Sequence, residues 1–323
     1  MKTQLLLPML VTCLACSATS GSGDTPGTGG AGNGVGANSA GGASSGGSGP
    51  ISTAGAGGAA PSGECTNVDL LFVIDNSASM ADQQQSLISS FPGFVEGMKS
   101  RLANAQSYHI GVVTTDDYYE NQSGCSAIGS LVTKTGGVSS SNTDCTPFST
   151  GARFLDSSEP DLLAKFACAA KVGVSGNDDE RVARALLNAV DPTNNAPGTC
   201  NAGFARKDSL LIVTLITDED DVPDLCDGNQ CETYGSGGTP QEWYDQLVAY
   251  RGGLAQNIVV LSLLGRQLDN SCGAQVAAKL VGFTKRFGAN GYLGDVCSSS
   301  YDSFFQEALP VIETACQNFE PPK

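Results

Sequence analysis

Asp75-Asn76-Ser77-Ala78-Ser79 places a carboxylate and two hydroxyls at alternate positions of one short polar run. Hard divalent cations take oxygen ligands, and Mg²⁺ keeps several waters while accepting only one or two protein carboxylates. A turn that points one acid and two hydroxyls inward meets that demand without neutralising the ion. Short polar triplets arise by chance in Ser-rich chains, so position carries the argument. The triplet directly follows the apolar run Val68 to Ile74, and a second acidic run, Asp218-Glu219-Asp220-Asp221, follows Leu210 to Ile216 in the same way. Four adjacent acids facing Asp75 would repel one another, and a cation between them relieves the repulsion. Asp218 is therefore a candidate ligand, and Glu219 to Asp221 are candidate field or second-site residues. Asp116, after the run Tyr108 to Thr115, is a candidate for the rim of the same site.

The elements that must position these residues are legible as two periodicities. Residues 68–74, 108–115, 210–216 and 258–263 are nearly continuous apolar, β-branched runs, the pattern of parallel strands buried on both faces. Between them, Leu87, Phe91, Phe94, Val95, Met98 and Leu102 recur at helical spacing, and Pro92 is expected to kink or break that helix. Further helices are expected around 162–170, 179–190, 243–250, 276–283 and 304–312, with Asn177 and Glu180 as a candidate capping box for the second of these. Strands alternating with helices predict an α/β fold, a doubly wound and mainly parallel sheet flanked by helices. In such a sheet ligands bind at the carboxyl ends of the strands, where the Asp75 run lies. Residues 119–156 interrupt the rhythm and are expected to form a polar, disulfide-pinned insertion.

This arrangement resembles the von Willebrand factor A family, whose metal-ion-dependent adhesion site begins with the same triplet after the same kind of strand. The resemblance extends over nearly all of 65–323. Gly111-Val112-Val113-Thr114-Thr115-Asp116 and Ile216-Thr217-Asp218-Glu219-Asp220-Asp221 further resemble secreted, Cys-rich bacterial members. It implies that Asp75, Ser77, Ser79 and Asp218 hold a divalent cation, Asp218 through water. Mg²⁺ is the first choice, with Ca²⁺ and Mn²⁺ as alternatives. It also implies that the cation bridges to a carboxylate of a protein or matrix partner. The sequence departs from the family where a Thr is usual, before the helix expected at 179–190, and carries Asp178-Asp179-Glu180 instead. Those acids either favour the positive helix N-terminus or supply a replacement ligand, with Asp179 as the candidate.

Composition restricts the alternatives. The chain has one His, His109, placed in a strand pattern, which leaves no ordinary Ser-His-Asp hydrolase or His-rich zinc site. No phosphate-cradling Gly loop follows a strand. An enzyme is not expected. Setting aside Lys2, Asp24 and Glu64, residues 65–323 carry 16 basic and 31 acidic residues, a balance of −15 that disfavours nucleic acid and anionic lipid as partners.

The N-terminus reads as an export signal: Lys2, then the apolar run Leu5 to Val11, then small residues. Cys13-Leu14-Ala15-Cys16 resembles a bacterial lipobox, so residues 1–16 are expected to be a lipoprotein signal ending at Cys16, with plain secretion as the alternative. Ser17 after the anchor points, by the same resemblance, to the outer membrane. Residues 17–64 are almost wholly Gly, Ser, Ala, Thr, Asn and Pro and are expected to be a disordered tether. Removing Cys13 and Cys16 from the 12 Cys leaves an even set, as up to five bridges require. The expected pairs are Cys65–Cys316, Cys125–Cys145, Cys168–Cys200, Cys226–Cys231 and Cys272–Cys297. The functional expectation is a lipid-anchored binding protein acting through its metal. The alternative is a scaffold with a structural metal that binds its partner through 119–156.

Overall fold

The computed structural model describes residues 64–222, 225–227, 230–232 and 234–322. The expected signal, Cys16 and the spacer lie outside the described residues. The doubly wound sheet is present. Its strands are β1 (Asn67–Ile74), β2 (Ser107–Thr114), β3 (Leu155–Asp156), β4 (Leu210–Ile216), β7 (Ile258–Leu264) and β8 (Gly291–Asp295), in the order β3-β2-β1-β4-β7-β8. All neighbours run parallel except β3, which pairs antiparallel with β2. β5 (Leu225–Asp227) and β6 (Gln230–Glu232) form a separate hairpin with Cys226 opposite Cys231 in register. The expected bridge between those two cysteines lies outside the described side chains.

Strand alternation divides the core. Val68, Leu70, Phe72 and Ile74 of β1 face one apolar cluster, which contains α1 (Ala81–Arg101), α2 (Leu162–Ala170) and α6 (Asp302–Gln317). Leu71 and Val73 face the other, which contains α3 (Val182–Val190), α4 (Pro240–Tyr250) and α5 (Ala278–Lys285). Burial on both faces is why these strands read as continuous apolar runs rather than alternating ones.

Several expectations are corrected. α1 runs through Pro92 as one helix, so of the kink or break expected there the break is absent. A proline inside a helix removes one backbone bond and costs about 3 kcal/mol. Leu87, Phe91, Phe94, Val95 and Met98 are all buried along one face, and that burial outweighs the cost. Asn177 and Glu180 form no capping box: α3 starts at Val182, its N-cap Arg181 gives no side-chain bond, and Glu180 is buried. The capping box present is Thr239 with Glu242 on α4. Cys125 bonds Cys200 and Cys145 bonds Cys168, in place of the expected 125–145 and 168–200 pairs. Cys65–Cys316 and Cys272–Cys297 are as expected.

The segment 119–156 is less of an appendage than its polarity suggests. Val132 N donates to Val112 O at 2.8 Å beside β2, Leu131 and Val132 enter opposite core clusters, and Leu155 begins β3. Its two bridges reach outside it, to Cys168 and Cys200. No helix among the described residues is long and apolar enough to cross a membrane.

Candidate metal centre

Asp75 N donates to Ile216 O at 3.0 Å, so the backbone leaves β1 for the site only after one further ladder bond to β4. The Asp75 carboxylate is fully buried. Its Oδ1 accepts from Ser77 N at 2.7 Å, and its Oδ2 accepts from the Thr217 hydroxyl at 2.7 Å. The Ser77 and Ser79 hydroxyls lie 3.5 Å apart, Ser77 buried and Ser79 exposed. The triplet thus consists of a buried acid, a buried hydroxyl and an exposed hydroxyl. Gln84 of α1 braces the turn, donating to Asp75 O at 3.1 Å and to Gly173 O at 2.8 Å.

Asp218 lies after β4, directly beyond Thr217, and its Oδ1 is buried without a hydrogen-bond partner. Its main chain is fixed by Gln275 N donating to Asp218 O at 2.7 Å. Burial pushes the Asp75 carboxyl up, hydrogen bonds from Ser77 and Thr217 draw it part of the way back, and the charge of Asp218 adds to the rise.

The other acids have different tasks. Asp220 accepts from Lys279 N at 2.9 Å and Leu280 N at 3.2 Å, which caps the start of α5. Asp221 accepts from Ala183 N at 3.0 Å and from the Ser236 hydroxyl at 2.5 Å, which caps α3 from a distant loop. Two members of the run read as field residues are thus helix caps, a role hidden because the capped helices are remote in sequence. Asp116 Oδ2 accepts from Asn177 N at 2.8 Å and so holds the loop before α3. Together with Asn76, Tyr119 and Gly176 it lines a cleft of about 250 Å³ beside the triplet. Asp179 is half-buried and makes none of these bonds. The acid that enters the interior is Glu180, with 1% of its surface exposed and both carboxylate oxygens unpartnered. Burial pushes its carboxyl strongly up, and the charge of Asp75 is the next cause.

Among the described residues no three His, Cys, Asp or Glu side chains converge closely enough to hold a metal by themselves. The candidate set depends on hydroxyls as much as on acids: Asp75, Ser77, Ser79 and Asp218. It fits a hard cation chemically, because the donors are all oxygens and Asp218 presents a buried oxygen that no protein donor satisfies. His109, by contrast, is at the far end of the sheet, with Nδ1 2.9 Å from Phe204 O and a register position opposite Asp69.

Gly176 closes against the triplet. Its N–H donates to Asn76 O at 2.8 Å, and a Cβ placed there would lie 2.6 Å from Asn76 Cγ and 2.8 Å from Asn76 O. Gly176→Ala is expected to push the Asp75–Ser79 turn outward and destabilise the domain by about 1–3 kcal/mol. Thermal unfolding checks the cost. An unchanged melting temperature would show that the loop before α3 gives way instead.

No protein-family model and no curated protein matches the chain. Solved structures similar to it include proximal thread matrix protein 1 from the mussel byssus, at 14% identity and TM-score 0.43, covering 77% of this chain and 49% of that one. The pilus adhesin SpaC from Lactobacillus rhamnosus GG matches at 12% identity and TM-score 0.42, over 78% of this chain and 30% of that one. A von Willebrand factor type A structure from Catenulispora acidiphila matches at 12% and TM-score 0.36, over 76% of this chain and 42% of that one. The chain spans about half or less of each. The fold assignment rests on strand order and on the two-faced core rather than on these likenesses.

Proposed function

We propose that this chain is an extracytoplasmic binding protein of the von Willebrand factor A type, lipid-anchored at Cys16 in the outer membrane. It holds a divalent cation through Asp75, Ser77, Ser79 and Asp218, and the cation supplies residual positive charge at the mouth of the site. A partner protein or matrix ligand would present a carboxylate there. The observation that carries the reading is the unpartnered Asp218 Oδ1 buried next to Asp75, at the carboxyl edge of the two central strands. Exposed Ser79 gives access from solvent. Tyr119 (82% exposed) and Val138 (67% exposed) flank the same face, since Tyr119 lines the cleft with Asn76 and Val138 N donates to the Ser175 hydroxyl. Their apolar surface suits contact with a protein. Four disulfides among the described residues suit an oxidising compartment.

Calorimetric titration of Mg²⁺, Ca²⁺ and Mn²⁺ into the metal-stripped full-length protein tests the reading. Saturable one-site binding is expected for the wild type, and Asp75→Ala is expected to lose it by about a hundredfold or more, as removal of a charged ligand does. Absence of binding in the wild type, or its survival in Asp75→Ala, rules the site out.

A further inference from the structure

Glu180 is a buried acid without a visible reason. Its main chain is pinned on both sides, by Val222 N donating to Glu180 O at 3.1 Å and Arg181 N donating to Thr115 O at 3.2 Å. It does not serve the helix that follows, because the Ala183 amide is taken by Asp221. The neighbouring Arg181 guanidinium is 3.4 Å from Asp117 and pairs there. The charges that bear on Glu180 are those of Asp75, Asp116 and Glu219, all negative. The Thr115 hydroxyl, whose nearness favours the ionised acid, has its hydrogen bond at 3.5 Å to Asn76 Oδ1. Both Glu180 oxygens are therefore left without a donor, and neither has an acceptor for a carboxyl proton. A buried carboxyl in that condition is costly in either protonation state. A cation satisfies both oxygens at once.

Resting on the cation proposed at Asp75, we infer that Glu180 is a further ligand of that cation and takes the position a partner's carboxylate would otherwise occupy. No three carboxylates converge in the present arrangement, but Glu180 lies near enough for the charge of Asp75 to act on it, and ligation draws the acids together around the ion. Asp75, Asp218 and Glu180 then bring three negative charges against two positive ones. That count suits Ca²⁺, which accepts six to eight oxygens and bidentate acids, better than Mg²⁺, which usually takes one or two carboxylates. While Glu180 is bound it masks the residual positive charge on which the proposed partner contact depends, and its displacement restores that charge. The site is capped from within, and a partner must displace Glu180 to reach the metal.

The test uses full-length protein, metal-stripped, as wild type, Glu180→Gln, Glu180→Thr and Asp75→Ala. CaCl₂ and MgCl₂ are titrated calorimetrically, then acetate is titrated into each Ca²⁺-loaded protein. The wild type is expected to prefer Ca²⁺, both Glu180 variants to bind it about tenfold or more weakly, and acetate to bind loaded Glu180→Thr but not loaded wild type. Metal-free Glu180→Gln is expected to melt in a single cooperative transition, which shows that the variant folds. Unchanged or tighter Ca²⁺ binding in Glu180→Gln, with binding lost in Asp75→Ala, overturns the role of Glu180 and leaves the cation site standing. Acetate that fails to bind loaded Glu180→Thr overturns the capping. No Ca²⁺ or Mg²⁺ binding by the wild type overturns this inference and the proposed function together.

Discussion

Asp69→Ala is expected to lower the unfolding free energy by about 3–5 kcal/mol, the range found when one member of a buried charge network is removed. Asp69 is fully buried at the amino-terminal end of β1. Its Oδ1 accepts from Arg206 Nε at 2.8 Å, and its Oδ2 accepts from Arg206 N at 2.6 Å and the Ser209 hydroxyl at 2.5 Å. The Arg206 guanidinium continues outward to the Ser107 hydroxyl at 2.8 Å and Val68 O at 3.0 Å. Arg251, 4% exposed, donates to Arg206 O at 2.5 Å and to Ser209 O. One carboxylate thus sets the starts of β1, β2 and β4 and the chain after α4. Without it the half-buried Arg206 guanidinium loses its acidic partner, and buried Arg251 loses one of the two acids, Asp69 and Asp208, whose charge favours it. Chemical denaturation measures the loss, and Asp69→Asn, which keeps the shape and an acceptor, should lose less. A loss below 1 kcal/mol for Asp69→Ala would mean that solvent enters and replaces the carboxylate. Metal affinity of the folded fraction should not move, because the cluster lies at the opposite end of the sheet from Asp75.

Removal of the Cys65–Cys316 bridge is expected to cost about 5.5 kcal/mol, because stabilisation by a crosslink grows with the loop it closes. Its sequence separation is 251, against 25 for Cys272–Cys297. The loop-entropy account predicts about 3 kcal/mol for the shorter one. Domains typically hold only about 5–15 kcal/mol in total. Cys65→Ala/Cys316→Ala should therefore unfold at much lower denaturant than Cys272→Ala/Cys297→Ala. Equal midpoints would count against the entropic account, leaving the backbone bond from Cys65 N to Cys316 O, 3.1 Å, as the real tie between the termini.

Four central strands were legible because each is buried on both faces and so reads as an uninterrupted β-branched run. β3 and β8 were not. β3 has two residues, and β8, Gly291–Asp295, is only half-buried at an edge and rich in glycine, so neither carries the pattern. The triplet was legible because its three donors lie within five residues and directly follow a readable strand. Glu180 was not, since an acid before a helix ordinarily serves the helix N-terminus, and only tertiary structure shows that α3 begins two residues later with a cap from Asp221. The clearer local signal lies at Thr239-Pro240-Gln241-Glu242, a capping box with Pro at the first helical turn. The mispaired cysteines show a similar limit. Cys125 and Cys145 are close in sequence, but the segment between them spreads along β2, so each meets a partner from the elements that flank it.

The Cys65–Cys316 bridge also decides how the domain carries tension. A pull applied on the N-terminal side would enter the fold at Cys65, immediately before β1, and a partner bound at the Asp75 turn, as proposed above, would pull on the other end of the same strand. β1 is then loaded lengthwise between two parallel ladders, Asn67–Ile74 against Ser107–Thr114 and Val68–Ile74 against Leu210–Ile216. Its hydrogen bonds must shear together instead of opening one after another. The covalent link to α6 diverts part of the load before it reaches the strand, into a helix packed along α1 and the sheet.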